Sequence, residues 1–142
     1  MPKKILLNVD VPGEMGDNTI VDNRFTPIKV YHLEMVFDRF PDDIFKTSPV
    51  YVVSNNLYDI IIDQKLSGIN NPRLISYNFN VQYNLLQRDG KKPTQNYYMV
   101  DISENESDDF SLIRVNNVKR LSVSERGYNL LKSFKIENAE LE

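Results

Sequence analysis

Cysteine is absent from the chain. Without thiols there is no disulfide framework, no thiolate zinc site and no cysteine nucleophile. Long hydrophobic runs are missing too. No stretch approaches the roughly 18 apolar residues of a membrane span. After the basic Met1-Pro2-Lys3-Lys4 only Ile5-Leu6-Leu7 precede Asn8, short of the roughly 7 apolar residues or more in a secretory signal. A cytoplasmic protein with no membrane partner is the expectation. Glycine occurs only 5 times, and Gly13-Glu14-Met15-Gly16 is followed by no Gly-Lys-Ser/Thr, so it does not read as a phosphate cradle. Concentrated basic charge is scarce as well. The formal net charge is −3, and the densest basic spots, Lys91-Lys92 and Lys119-Arg120, read as solvated turns. That argues against a nucleic-acid partner, which needs a clustered basic surface to meet phosphates.

What is present suits a globular protein. Hydrophobic residues make up 41% and charged residues 26% of the 142 positions, enough for one domain over residues 1–142 with its own core. Two similar lobes, 1–75 and 76–142, are a further expectation. Ile5, Leu7, Val9 and Val11 alternate as one face of a strand over 4–11. Residues 12–27, rich in Pro, Gly, Asn and Asp, read as a loop. A second strand is expected over 28–37, with Tyr31, Leu33, Met35 and Phe37 on one face. Residues 50–53 are continuously apolar, as in a strand buried on both faces. Ser54 reads as the N-cap of a helix that Gly68 would close. Over 77–85 aromatic and aliphatic residues alternate with amides, which marks a half-buried antiparallel strand. A return strand over 97–102 follows, then an acidic loop over 101–111. A hairpin turning at Asn116-Asn117, a helix from Ser124 and a closing strand over 135–141 complete the chain.

An internal echo runs at a constant offset. Val53-Ser54-Asn55-Asn56-Leu57-Tyr58-Asp59-Ile60-Ile61 parallels Val123-Ser124-Glu125-Arg126-Gly127-Tyr128-Asn129-Leu130-Leu131. Each copy is an apolar strand, a Ser cap and a helix that returns a Tyr and an aliphatic residue to the sheet. The expected fold is therefore α+β: a mixed or antiparallel sheet with two similar strand–helix units, around 50–66 and 121–135.

Candidate chemistry is thin. His32, the only histidine, shares a strand face with Glu34, which is the geometry of an acid–base pair and equally of an ordinary surface pair. Pro41-Asp42 followed by Asp63-Gln64-Lys65 mimics a metal-dependent nuclease pattern. On a helix, however, residues two apart diverge by about 200°, so Asp63 and Lys65 would not face one metal. Asp101-x-Ser103-x-Asn105 begins like a calcium loop, but Glu106 stands where the turn needs Gly and Leu112 where a bidentate Glu belongs. No metal and no cofactor are expected. Of the aromatics, Tyr51 and Tyr97 read as free to serve a binding surface.

Three stretches carry a resemblance. They are Pro12-Gly13-Glu14-Met15-Gly16-Asp17-Asn18-Thr19; His32-Leu33-Glu34 with Phe37-Asp38, Asp42-Asp43-Ile44-Phe45 and residues 48–54; and Asp108-Asp109-Phe110 with residues 120–125 and 136–140. With these the chain resembles small bacterial immunity proteins of polymorphic toxin systems. It departs from them at Arg39-Phe40-Pro41, where a Trp and a Gly would precede the acidic pair. The resemblance implies no enzymatic activity and tight binding to a co-encoded protein toxin, which it neutralises by contact. Many such toxins act on nucleic acids through basic clefts. Two acidic clusters would meet one: Asp42-Asp43, and Glu104, Glu106, Asp108 and Asp109. The alternatives are a small metal-dependent nuclease or hydrolase on Asp42, Asp63 and Lys65 or on His32, and a self-assembling subunit that uses the amide face of 77–85.

Overall fold

The computed structural model describes residues 4–26, 28–80, 95–134 and 140–141. Among them strands take 50% and helices 14%, and the strands form four sheets. The α+β expectation is thus corrected to a small β-rich fold. The two helices among the described residues, Asn55–Asp63 (α1) and Glu125–Leu131 (α2), are only 9 and 7 residues long. Each follows a capping Ser at the end of a strand, but the sheets form the frame, not a pair of strand–helix units. Residues 12–27 show why composition misled: Gly13–Met15 (β2) and Ile20–Asp22 (β3) are strands, each paired antiparallel with a later one. Backbone pairing satisfies the N–H and C=O groups that a polar, Pro-containing stretch would otherwise leave to water.

The central layer is the antiparallel sheet of Ile44–Thr47 (β6), Val50–Ser54 (β7), Tyr97–Ile102 (β10) and Ile69–Leu74 (β8), in the order β6-β7-β10-β8. Successive side chains of a strand point to opposite faces, and here both faces are covered. Ile44, Tyr51, Val53 and Val100 enter one core. Phe45, Val52, Tyr97 and Met99 enter the other. The unbroken apolar run of β7 is what a layer buried on two sides needs.

The first core is closed by Phe110–Val115 (β11), Val118–Ser124 (β12), Lys4–Asn8 (β1) and Glu140–Leu141 (β13), which form one sheet in the order β11-β12-β1-β13. Leu7, Phe110, Leu121 and Val123 come from this sheet, and Leu57, Ile61, Leu130 and Leu131 from the helices. The second core is closed by β2, Glu34–Phe37 (β5) and Ser76–Phe79 (β9), with β9 parallel to β5. Phe37 is fully buried there, with ring centroids 5.5 Å from Phe45, 5.4 Å from Tyr77 and 5.5 Å from Phe79. Each of these three sheets takes strands from both sides of residue 75, so segments 1–75 and 76–142 interleave.

Several local expectations are corrected. The strand expected over 28–37 breaks at Leu33 into Lys29–His32 (β4) and β5. The break reverses the phase, so Val30 is buried and Tyr31 is 52% exposed. Gly68 does not cap α1. The left-handed residue after the helix is Lys65, at φ 56°, and Leu66 N–H reaches Ile61 O at 3.0 Å. Gly68 is required for another reason: at φ +105° a Cβ there would lie 1.9 Å from Phe110 O. Of the strand expected over 77–85, β9 accounts for residues 77–79, and residues 81–85 lie outside the described residues. So do residues 135–139 of the expected closing strand, of which β13 is the end. The turn at Asn116-Asn117 takes φ 52° and 66°, the double positive φ that a tight hairpin demands.

Candidate functional site

The loop between β10 and β11 carries four of the six carboxylates singled out in the sequence. Its conformation is fixed by short polar side chains. Ser103 N–H donates to Gly68 O at 2.8 Å, and Leu112 N–H to Ser103 O at 2.7 Å, which pins both ends. Inside, Asn105 N–H donates to Ser103 Oγ at 3.0 Å, Ser107 N–H and Oγ donate to Asn105 Oδ1 at 3.0 and 2.8 Å, and Ser103 Oγ donates to Asp108 Oδ2. Asn and Ser form such local turns readily because their side chains reach the backbone two residues on. Glu104 and Glu106 are left pointing outward, both exposed. Lys119 pairs with Glu104 across the surface, and its hydrogen bond and charge hold the Glu104 carboxyl below the usual range. Glu106 has no partner among the described residues.

Asp109 plays a different part. Its Oδ1 accepts from Ser124 Oγ at 2.7 Å and its Oδ2 from Ser67 N–H at 3.0 Å. Its carbonyl accepts Ser124 N–H at 2.8 Å. Burial alone would raise this carboxyl, but the bonds from Ser124 and Ser67 and the charge of Arg126 outweigh it and hold it low. Ser124 Oγ in turn accepts Gly127 N–H at 3.0 Å as the N-cap of α2. One carboxylate therefore joins the loop, the segment after α1 and the start of α2. Beside it lies an open cleft of about 680 Å³ whose lining includes Gln64, Ser107, Asp109, Glu125 and Arg126. Arg126 spans it by donating to Gln64 O.

Asp42 and Asp43 lie elsewhere, on the approach to β6, and both are buried. Asp43 O accepts Ser54 N–H at 2.8 Å, and Asp43 Oδ1 accepts from Gln95 Nε2 at 3.2 Å. Ser54 Oγ caps α1 by accepting Leu57 N–H at 3.2 Å. In each copy the carbonyl of the second Asp accepts the N–H of the capping Ser, so Asp43 stands to α1 as Asp109 stands to α2. The sequence carries a signal for this, an Asp-Asp before an apolar residue and a Ser-capped helix in each copy. It is easily missed because the hairpins between them differ in length.

The remaining candidates are not brought together. Glu34 is turned away from His32: its carboxylate accepts from Asn18 Nδ2 at 2.8 Å and Asn18 N–H at 3.3 Å, while His32 Nε2 sits 3.2 Å from Ser76 Oγ. Gly16 permits this, since a Cβ there would meet Glu34 Oε1 at 2.1 Å. Asp63 and Lys65 are exposed at the end of α1, whereas Asp42 is fully buried. Asp101 binds Arg73 at 2.7 Å and Asn71 at 3.0 Å instead of closing on Ser103 and Asn105. Among the described residues no group of three or more His, Asp or Glu is placed to hold a metal ion. Tyr51 and Tyr97, expected to be free, are buried. Tyr97 packs edge-on to Tyr77, centroids 5.5 Å apart, and burial pushes its hydroxyl pKa up.

No family model matches the chain, and neither a curated protein nor a solved structure matches it. No helix among the described residues is long and apolar enough to cross a membrane.

Proposed function

We propose that the chain is a cytoplasmic binding protein of the immunity type, which neutralises a co-encoded protein toxin by contact. The observation that carries this reading is the preorganised acidic loop. Glu104 and Glu106 stand outward on a turn whose own Ser and Asn side chains hold it in place. A loop already ordered loses little entropy on binding, and its charge steers encounter with a basic cleft. Of the six carboxylates singled out, the buried Asp42 and Asp43 and the bonded Asp109 support the scaffold, so the contact falls to Glu104 and Glu106, with Asp108 behind them. The test is the double charge reversal E104K/E106K. Against the product of the adjacent toxin gene at low salt, association is expected to slow on the order of tenfold, with the difference shrinking as salt is added. An unchanged rate in the folded variant overturns the assignment of the loop. No binding of the wild-type chain to that product overturns the immunity reading itself.

A further inference from the structure

A second surface, of opposite charge, lies on the other side of the central layer. A groove of about 510 Å³ runs between β4, the start of β7 and the β8–β10 pair. Its floor is apolar, formed by Val30, Val50 and Met99. One wall is β4, which among the described residues pairs with β3 alone. On that wall Lys29 Nζ lies 5.5 Å from the ring centroid of Phe25 and 5.4 Å from that of Tyr31. Both rings are half exposed, at 48% and 52%.

The charges around the groove are unequal. Arg73 on the opposite rim is matched by Asp101 at 2.7 Å. Asp22, which faces Lys29 across the β3–β4 pair, is committed to Arg24 by bonds of 2.9 and 2.7 Å. Lys29 makes no ion pair among the described residues; the faces of the two rings hold it, and the charge of Asp22 acts on it from beyond ion-pair distance. Such an arrangement stabilises a cation without neutralising it. On the rim of an apolar groove, then, a cation with no ion pair among the described residues stands between two exposed aromatic rings.

We propose that this groove docks a short extended segment of a protein partner that carries an aromatic or aliphatic side chain close to a carboxylate. The apolar side chain enters the floor, the carboxylate meets Lys29, and the backbone runs along the singly paired β4. Strand addition to an exposed edge, with pockets for alternate side chains, is a common way to recognise an extended peptide. The inference stands apart from the acidic-loop reading and survives its failure.

The probe is the blocked peptide Gly-Phe-Glu-Val-Asp-Gly, titrated against the whole chain by amide-resolved NMR. Saturable shifts are expected at residues 29–31, 50, 73 and 99. The exposed substitution Lys29→Gln is expected to weaken binding about tenfold or more, leaving the rest of the spectrum unchanged. The charge-swapped peptide Gly-Phe-Lys-Val-Lys-Gly is expected to bind far more weakly. Absence of saturable shifts, shifts centred elsewhere, equal binding of the lysine peptide or an unaffected K29Q each overturns the proposal. Binding of 3-phenylpropionate as tight as that of the peptide overturns the choice of occupant, since a small aromatic acid would then suffice.

Discussion

Asp109 concentrates several roles in one carboxylate. Two side-chain partners and a backbone carbonyl bond tie it to segments far apart in sequence. Its folded pKa lies below the ordinary carboxyl value, which for an unfolded Asp is about 3.9. The stability it contributes is therefore fully present above about pH 4 and is lost as pH falls through the folded value. Asp109→Asn keeps the shape but weakens the acceptor. It is expected to cost about 1–3 kcal/mol near neutrality and to flatten the acid side of the stability profile, measured by urea unfolding at a series of pH values. An unaltered acid limb would show that other carboxyls set it. Phe37 offers a plainer residue-scale case. It packs against four other rings and is fully buried, so Phe37→Ala is expected to cost about 3–5 kcal/mol.

At the scale of elements the two helix caps are the sharpest local feature. Ser54→Ala and Ser124→Ala are each expected to cost about 1 kcal/mol, read by chemical unfolding. Ser124→Ala should cost the more, because it also removes a donor from Asp109. At the Asn116-Asn117 turn, Asn117→Gly should be neutral or slightly stabilising, and Asn117→Val should cost about 1–2 kcal/mol through its left-handed backbone. These features were legible in the sequence because each depends on a few adjacent residues: a Ser before a helical period, a pair of Asn between two strands, an unbroken apolar run in β7. What stayed hidden depends on partners distant in sequence. β2 and β3 become strands only through β5 and β4. The phase of residues 28–37 reverses where the chain passes from one sheet to another at Leu33. Asp42 and Asp43 look solvated until the cap of α1 and Gln95 close over them. A single basic residue such as Lys29 carries no signal in the sequence, since its meaning lies in the two rings beside it and the groove below.

At the scale of the whole molecule the layering decides what each strand tolerates. The central sheet serves two cores at once, so a slip of one residue in β7 would exchange Val52 with Val53 and disturb both. Hydrogen exchange is accordingly expected to be slowest at the amides of β7 and β10, which lie inside that sheet, and faster in the β3–β4 pair. Comparable protection in both would mean that the small sheet is bound to the body more tightly than its two strands imply.

The position of β1 has a consequence for how the chain reaches this state. It is flanked by β12 and β13, with Lys4 opposite Ser124 and Leu7 opposite Leu141, and Arg120 reaches Asn8 across 112 residues of chain. Synthesis runs from β1 toward β12 and β13, so both edges of β1 wait for these partners until more than a hundred further residues have been made. Long-range pairings of this kind put refolding in the range of milliseconds to seconds. They also leave an interval in which a strand-binding chaperone has something to hold.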